Sequence, residues 1–177
     1  GTVPVGRRVL VIGGGMTAVD AAVQSRLLGA ESVDMVYRRG PRQMRASQHE
    51  QDLARHRGVR ILHWLAPVEI ISEGGSVRAV RFARQRLDAD RLVPAGEECV
   101  LEADTVLKAI GQRLGNPVLA QCGLELRDGR ILVDESGRTS VDGVWAGGDC
   151  IAGGQDLTVD AVAHGLRAAR DIDLRLR

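Results

Sequence analysis

Two stretches of the chain combine residue types and spacing that suit binding chemistry. The first is Gly13-Gly14-Gly15-Met16-Thr17-Ala18, a GxGxxA pattern that follows the apolar run at 8–12 and precedes a helical pattern. At this spacing Gly13 permits a tight turn, and Gly15 lets backbone approach a diphosphate with no side chain between. Ala18 allows close helix–strand packing, and the opening helix turn offers unpaired N–H groups and a positive dipole end. A glycine-rich turn that merely joins two elements is the bland alternative. The strand, helix and second strand in register around the motif favour dinucleotide binding.

The next strand ends in Tyr37-Arg38-Arg39, with Arg42 and Arg45 close behind. An acidic residue at this point accepts hydrogen bonds from the ribose hydroxyls of NAD. Arginine, with its forked donors, suits a 2′-phosphate, which favours NADPH over NADH. A solvated basic loop is the alternative. The second stretch is Val144-Trp145-Ala146-Gly147-Gly148-Asp149, followed by Asp156-Leu157-Thr158. A short strand at 144–146 would place Asp149 at its carboxyl end, where the carboxylate can accept from sugar-like hydroxyls such as those of flavin ribitol. The helix opening near Thr158 would aim N–H groups at the N1 and C2 carbonyl edge of a flavin. Gly-Gly-Asp also occurs in plain turns.

The elements that must position these residues follow from periodicity. Strands are expected at 8–12, 32–37 and 60–65. A helix is expected from Thr17 to Gly29, and a second from the Ser47/Glu50 capping-box spacing to Arg57. This β-α-β-α-β order predicts a parallel sheet with right-handed crossovers. Strands at 68–72 and 77–86 flank Glu73-Gly74-Gly75-Ser76. A polar loop then leads to 98–103, giving an antiparallel hairpin or three-stranded insertion. A buried strand at 105–110 ends at Gly111. Periodicity lapses over 111–117, the candidate boundary, before a strand pair at 126–133 and a closing helix at 158–176.

Composition narrows the partners. The 24 basic and 23 acidic residues give a net charge of +1, which argues against nucleic acid or an acidic membrane surface. No apolar run approaches the roughly 18 residues of a membrane span, and no signal peptide is evident. Cys99, Cys122 and Cys150 form no CxxC pair, which predicts a reduced, cytoplasmic setting and argues against a dithiol relay. His49, His56, His63 and His164 lack metal-ligand spacing with the cysteines and are expected at the surface or in packing, so no metal site is expected. The chain opens on Gly1, close to a strand, and reads as a segment of a longer protein.

In order along the chain, the glycine turn, Tyr37-Arg38-Arg39, Ala109-Ile110-Gly111-Gln112 and Trp145-Ala146-Gly147-Gly148-Asp149 resemble the FAD- and NAD(P)-dependent oxidoreductases of the glutamate synthase small subunit and dihydropyrimidine dehydrogenase flavoproteins. The resemblance covers nearly the whole chain. Arg38-Arg39-Gly40-Pro41-Arg42-Gln43-Met44-Arg45-Ala46, Leu107-Lys108-Ala109-Ile110-Gly111-Gln112 and Met16 look most similar to the flavoprotein subunit of bacterial NAD-dependent dihydropyrimidine dehydrogenase. The resemblance implies that Gly13, Gly14, Gly15, Met16, Thr17 and Ala18 form the pyrophosphate turn. Arg38, Arg39 and Arg45 would meet the ribose phosphate, and Ala109, Ile110 and Gly111 would lie near the nicotinamide. Gly147, Gly148, Asp149, Asp156, Leu157 and Thr158 would line FAD.

Bacterial enzymes of that kind use NAD, against the arginine argument, so both nucleotides stay open. The resemblance further implies a Rossmann-like NAD(P) domain at 1–110 and the C-terminal part of an FAD domain at 111–177. The flavin's own glycine turn and the iron–sulfur cysteines would lie in a missing N-terminal part or a partner subunit. On that basis a hydride passes from NAD(P)H to FAD, and electrons go on to iron–sulfur clusters or a catalytic partner. The isolated segment is then expected to hold FAD weakly and to be inactive. The alternatives are an NADPH-dependent glutamate synthase small subunit and a non-catalytic NADPH-binding redox module.

Overall fold

Arg8–Ile12 (β1) carries four consecutive apolar residues, Val9 to Ile12, and its middle three side chains are buried. A strand enclosed on both faces has this composition. In a computed structural model, which describes residues 5–112, 114, 119, 121–155 and 157–177, β1 sits between two parallel neighbours. The proposed boundary positions 113 and 115–117, and Asp156, lie outside the described residues. The chain divides into two units, one through Gly111 and one from Gln112.

In the first unit, Met16–Leu27 (α1) joins β1 to Ser32–Tyr37 (β2), and Gln48–His56 (α2) joins β2 to Val59–His63 (β3). Helix α1 ends with the Gly29 N–H donating to the Arg26 carbonyl and the Ala30 N–H to the Ser25 carbonyl. Gly29 takes a φ of +104°, which favours glycine at that point. Helix α2 opens with the expected capping box. The Ser47 side chain accepts from the Glu50 N–H, and the Glu50 carboxylate accepts from the Ser47 N–H.

From β3 the chain leaves the sheet for Leu65–Glu73 (β4), Ser76–Asp88 (β5) and Arg91–Glu102 (β6), a three-stranded antiparallel sheet. It returns as Thr105–Lys108 (β7), giving the parallel order β3-β2-β1-β7. The architecture is thus a Rossmann-like parallel sheet with an antiparallel insertion. Alternation in the parallel strands divides the core into two. Val9 and Val11 of β1, with Val33 and Met35 of β2, pack with Ala18, Val19, Ala22 and Val23 of α1. Leu10 and Val36 face the other way, onto Leu65, Val80 and Phe82, the single phenylalanine. One sheet is therefore sandwiched between helices and a second sheet.

Two expectations change here. The polar stretch 87–97 is not a loop: β5 and β6 extend through it to a tight turn where Asp88 pairs with Arg91. Its strands lack an alternating apolar pattern because neither face is buried there, and cross-strand charges line the ribbon next to it. Arg84 pairs with Glu97 at 3.1 Å, and Arg81 with Glu98 at 3.6 Å and with Glu69 at 3.2 Å. Strand β7 is a shorter, half-buried edge, and Ile110 beyond it is 64% exposed. An edge strand has only one neighbour to cover it.

The second unit holds a small hairpin, Leu126–Arg127 (β8) and Arg130–Ile131 (β9), and the helix Thr158–Leu176 (α3). The strand expected at 144–146 is only a single bridge between Arg138 and Trp145. The Ala146 N–H donates to the Gly137 carbonyl at 2.9 Å and the Thr139 N–H to the Val144 carbonyl at 3.0 Å, and side chains add to this. Asp171 accepts two hydrogen bonds from Arg138, at 2.6 and 2.5 Å, and one from the Trp145 indole at 2.8 Å. Among the described residues no helix is long and apolar enough to cross a membrane.

Asp34 and Arg60 face each other across β2 and β3, with two hydrogen bonds of 2.6 and 2.7 Å. The Asp34 side chain is only 10% exposed, whereas that of Arg60 is 69% exposed. Truncating the exposed partner strands a buried carboxylate. Arg60→Ala should therefore destabilise the fold by about 1–3 kcal/mol, and Asp34→Ala by less. Urea unfolding of both variants checks the order, and equal losses would show that burial does not set the cost.

In the second unit, the Arg138 guanidinium, aided by the Trp145 N–H, holds the Asp171 carboxyl below the usual carboxylate range. A carboxylate favoured as the ion in the fold contributes stability above its unfolded pKa, and that contribution is lost as pH falls through the lower folded value. The window is thus below about pH 4. Asp171→Asn should make the dependence of the unfolding midpoint on pH shallower there; an unchanged slope would contradict the assignment.

Candidate functional site

The turn between β1 and α1 is shaped by what each glycine excludes. A Cβ on Gly13 would lie 2.2 Å from the Ala109 carbonyl oxygen, so the turn and the end of β7 approach as only glycine allows. A Cβ on Gly14 would strike the Tyr37 ring at 2.4 Å. Gly15 differs, because a Cβ there would meet nothing within 4 Å. That opening sits at the start of α1, where Gly15 is the N-cap and supplies no side-chain cap. Ala18 and Val19 donate to the Gly15 carbonyl, which leaves the Met16 and Thr17 N–H groups ahead of the first helical bonds. Bare backbone, free donors and the positive end of a helix dipole fit a diphosphate.

The arginine segment is tied to this turn. Both the Arg45 and Ala46 N–H groups donate to the Gly14 carbonyl, each at 3.0 Å. The Tyr37 hydroxyl donates to the Gln43 carbonyl at 2.7 Å. His63 Nε2 lies 3.3 Å from the Met44 sulfur, and burial, with the Arg55 charge, pushes the His63 pKa down. Arg38, Arg39, Arg42 and Arg45 are all exposed, and none forms an ion pair among the described residues. Other arginines are engaged in part, Arg60 with Asp34 and Arg138 with Asp171 among them. A cluster of unpaired guanidinium groups beside an open helix N-terminus suits a polyanion.

The structure brings Gly13 to Ala18, Arg45 and Ala109 to one end of the parallel sheet. The Ala109 N–H donates to the Ile12 carbonyl at 2.8 Å, beside the glycine turn. Ile110 and Gly111 are exposed just beyond, with Gly111 at a φ of +93°. Arg38 and Arg39 follow β2 directly. Two contributors were not singled out from sequence. Tyr37 is the surface against which Gly14 packs, and Trp64 packs on Gly40. The signal for Tyr37 was its place as the only tyrosine, immediately before the arginines.

In the second unit, Gly148 lies in a tight turn, Gly148–Cys150, with a φ of +77°. Its N–H donates to His164 Nδ1 at 3.1 Å, so this histidine braces the turn. A Cβ on Gly147 would come within 2.7 Å of the His164 Cβ. Asp149 is exposed and makes no ion pair among the described residues, leaving its carboxylate available to hydroxyl donors. Helix α3 begins after Leu157 with no side-chain cap, so its first N–H groups at Thr158 are also available. These features fit one part of a flavin site. The three cysteines are free thiols.

The pyridine nucleotide-disulphide oxidoreductase model matches residues 2–165. The chain belongs to that family. It is 37% identical to the NADP(+)-dependent formate dehydrogenase subunit beta of Moorella thermoacetica, over 97% of this chain and 25% of the relative. It is also 37% identical to the glutamate synthase [NADPH] small chain of Escherichia coli, over 94% of this chain and 38% of that one. The chain thus spans between a quarter and two-fifths of the length of these relatives. Among solved structures, thioredoxin reductase of T. acidophilum superposes with a TM-score of 0.78 at 26% identity, over 92% of this chain and 50% of that one.

The glycines allow a separation of fold from binding. Gly15→Ala should leave thermal unfolding unchanged and raise the dissociation constant for NADPH at least about tenfold, or about 1.4 kcal/mol. Gly13→Ala should instead lower the unfolding temperature. Titration and melting of both variants provide the check, and undiminished binding by Gly15→Ala would remove the diphosphate from this turn.

Proposed function

We propose that residues 1–110 form an NAD(P)H-binding domain and residues 111–177 the C-terminal part of an FAD-binding domain. The whole flavoprotein moves reducing equivalents from NADPH to a distant acceptor. The observation that carries this reading is the conjunction at Gly14: its carbonyl binds the arginine segment to the turn whose next residue, Gly15, is open. In this reading the Gly15, Met16 and Thr17 backbone holds the pyrophosphate, with Gly13, Gly14 and Ala18 setting the turn. Arg38, Arg39 and Arg45 take the 2′-phosphate. Ala109, Ile110 and Gly111 lie along the nicotinamide. Gly147, Gly148, Asp149, Asp156, Leu157 and Thr158 line the flavin, with Asp149 accepting from its hydroxyls.

When both cofactors are bound, nicotinamide C4 supplies a hydride that flavin N5 accepts. No side chain needs to move a proton for that transfer; this chain orients the reactants and keeps water out. Iron–sulfur clusters or a partner subunit outside this segment would take the electrons onward, and the segment alone would hold FAD weakly. No CxxC pair is present to act as a dithiol relay. Preference for NADPH is supported by the unpaired arginines and by the names of both relatives above.

The final acceptor has two readings. Tyr37-Arg38-Arg39, Met16 and the residues around Ile110 favour a dihydropyrimidine dehydrogenase-like flavoprotein. The identity to a glutamate synthase small chain favours that enzyme. A non-catalytic NADPH-binding module would bind the nucleotide in the full chain without reducing its flavin. Arg38→Ala should raise the NADPH dissociation constant about tenfold or more and barely affect NADH. Equal losses for the two nucleotides, or a wild-type chain indifferent between them, would defeat the claim of phosphate recognition.

A further inference from the structure

The chain passes from the parallel sheet to the antiparallel one through a single residue, Trp64, between the end of β3 at His63 and the start of β4 at Leu65. Trp64 takes a φ of +63°, a left-handed conformation that bulky L-residues rarely adopt. Something in the native structure must hold it there. Its N–H donates to the Arg39 carbonyl at 3.2 Å, and its own carbonyl accepts from the Gln85 N–H at 2.7 Å. Its indole lies on Gly40, where a Cβ would fall 2.3 Å from the ring. The φ of Gly40 is −79°, a value any residue adopts, so the ring and not the backbone calls for glycine at this position.

We propose that Trp64 is a positioning residue for the arginines at the end of β2: its main chain grips Arg39, its ring fixes Gly40, and it thereby sets selectivity for a 2′-phosphorylated nucleotide. This rests on the phosphate-binding reading of Arg38 and Arg39. The backbone of the arginine segment is then held at both ends, by the Gly14 carbonyl at Arg45 and Ala46 and by Trp64 at Arg39 and Gly40. Gln85 connects the second anchor to β5, so the antiparallel insertion acts as a buttress for the nucleotide pocket. An exposed guanidinium has many rotamers, and fixing its backbone narrows where it can reach.

The test measures NADPH and NADH dissociation constants in the full chain for Trp64→Gly, Trp64→Phe, Gly40→Ala and Arg38→Ala, with unfolding temperatures alongside. Trp64→Gly keeps the left-handed link and removes the ring; Gly40→Ala drives the ring away from the opposite side. Both should weaken NADPH about tenfold and NADH less than about twofold, while Trp64→Phe stays within about threefold of the parent for NADPH. If Arg38→Ala abolishes the preference but Trp64→Gly and Gly40→Ala keep it, the positioning role is refuted and phosphate recognition stands. Parallel loss of both nucleotides in these two variants also refutes it, because that is the signature of general damage. If Arg38→Ala leaves the preference intact, the phosphate reading fails and this inference falls with it. Should Trp64→Gly not fold, Gly40→Ala decides alone.

Discussion

The carbonyl of Gly14 accepts two hydrogen bonds, from Arg45 and Ala46, and the glycine-turn end of the first unit depends on that junction. It makes one body of two features that would otherwise be separate loops. The turn supplies open backbone and the end of a helix; the arginine segment supplies mobile charge. A peptide carbonyl with two donors is fully satisfied, so the junction leaves no unmet polar group where the chain must approach itself closely. Tyr37 adds a wall beneath Gly14 and a bond to Gln43, closing the same junction from below.

The sheet behind it is built to be stiff. Its two inner strands are covered on both faces, by helices on one and by the antiparallel sheet on the other. Consecutive residues of β1 belong to different cores, so a one-residue slip of that strand would misplace every side chain in both. Register is thereby fixed, and with it the position of Gly13 beside Ala109. The Asp34–Arg60 pair adds a polar lock between β2 and β3 at a defined rung.

Much of this was legible from residue pattern. The β-branched run before three glycines, the Ser47/Glu50 capping box and the alternation of strands with helices each have a local physical cause, and each appears in the structure. The antiparallel insertion was legible in kind but not in extent. Glu97 read as a loop residue because its partner, Arg84, lies across a strand and is not local in sequence. The segment 144–146 failed for the complementary reason. It has the composition of a strand but pairs with 137–139 through one bridge only, and Asp171, from the distant end of α3, also holds Trp145. Trp64 was invisible because nothing local marks a tryptophan as a left-handed link.

The charged length of β6 has a further consequence for the molecule among its neighbours. This twelve-residue strand forms the edge of its sheet, and such edges invite pairing with another chain. Pro94 has no N–H to offer, Gly96 turns to a φ of +86°, and Glu97 and Glu98 would have to be stripped of water for a new strand to dock. The border thus discourages polymerisation through its backbone, and a protein can carry so long a ribbon in the open without growing fibres from it.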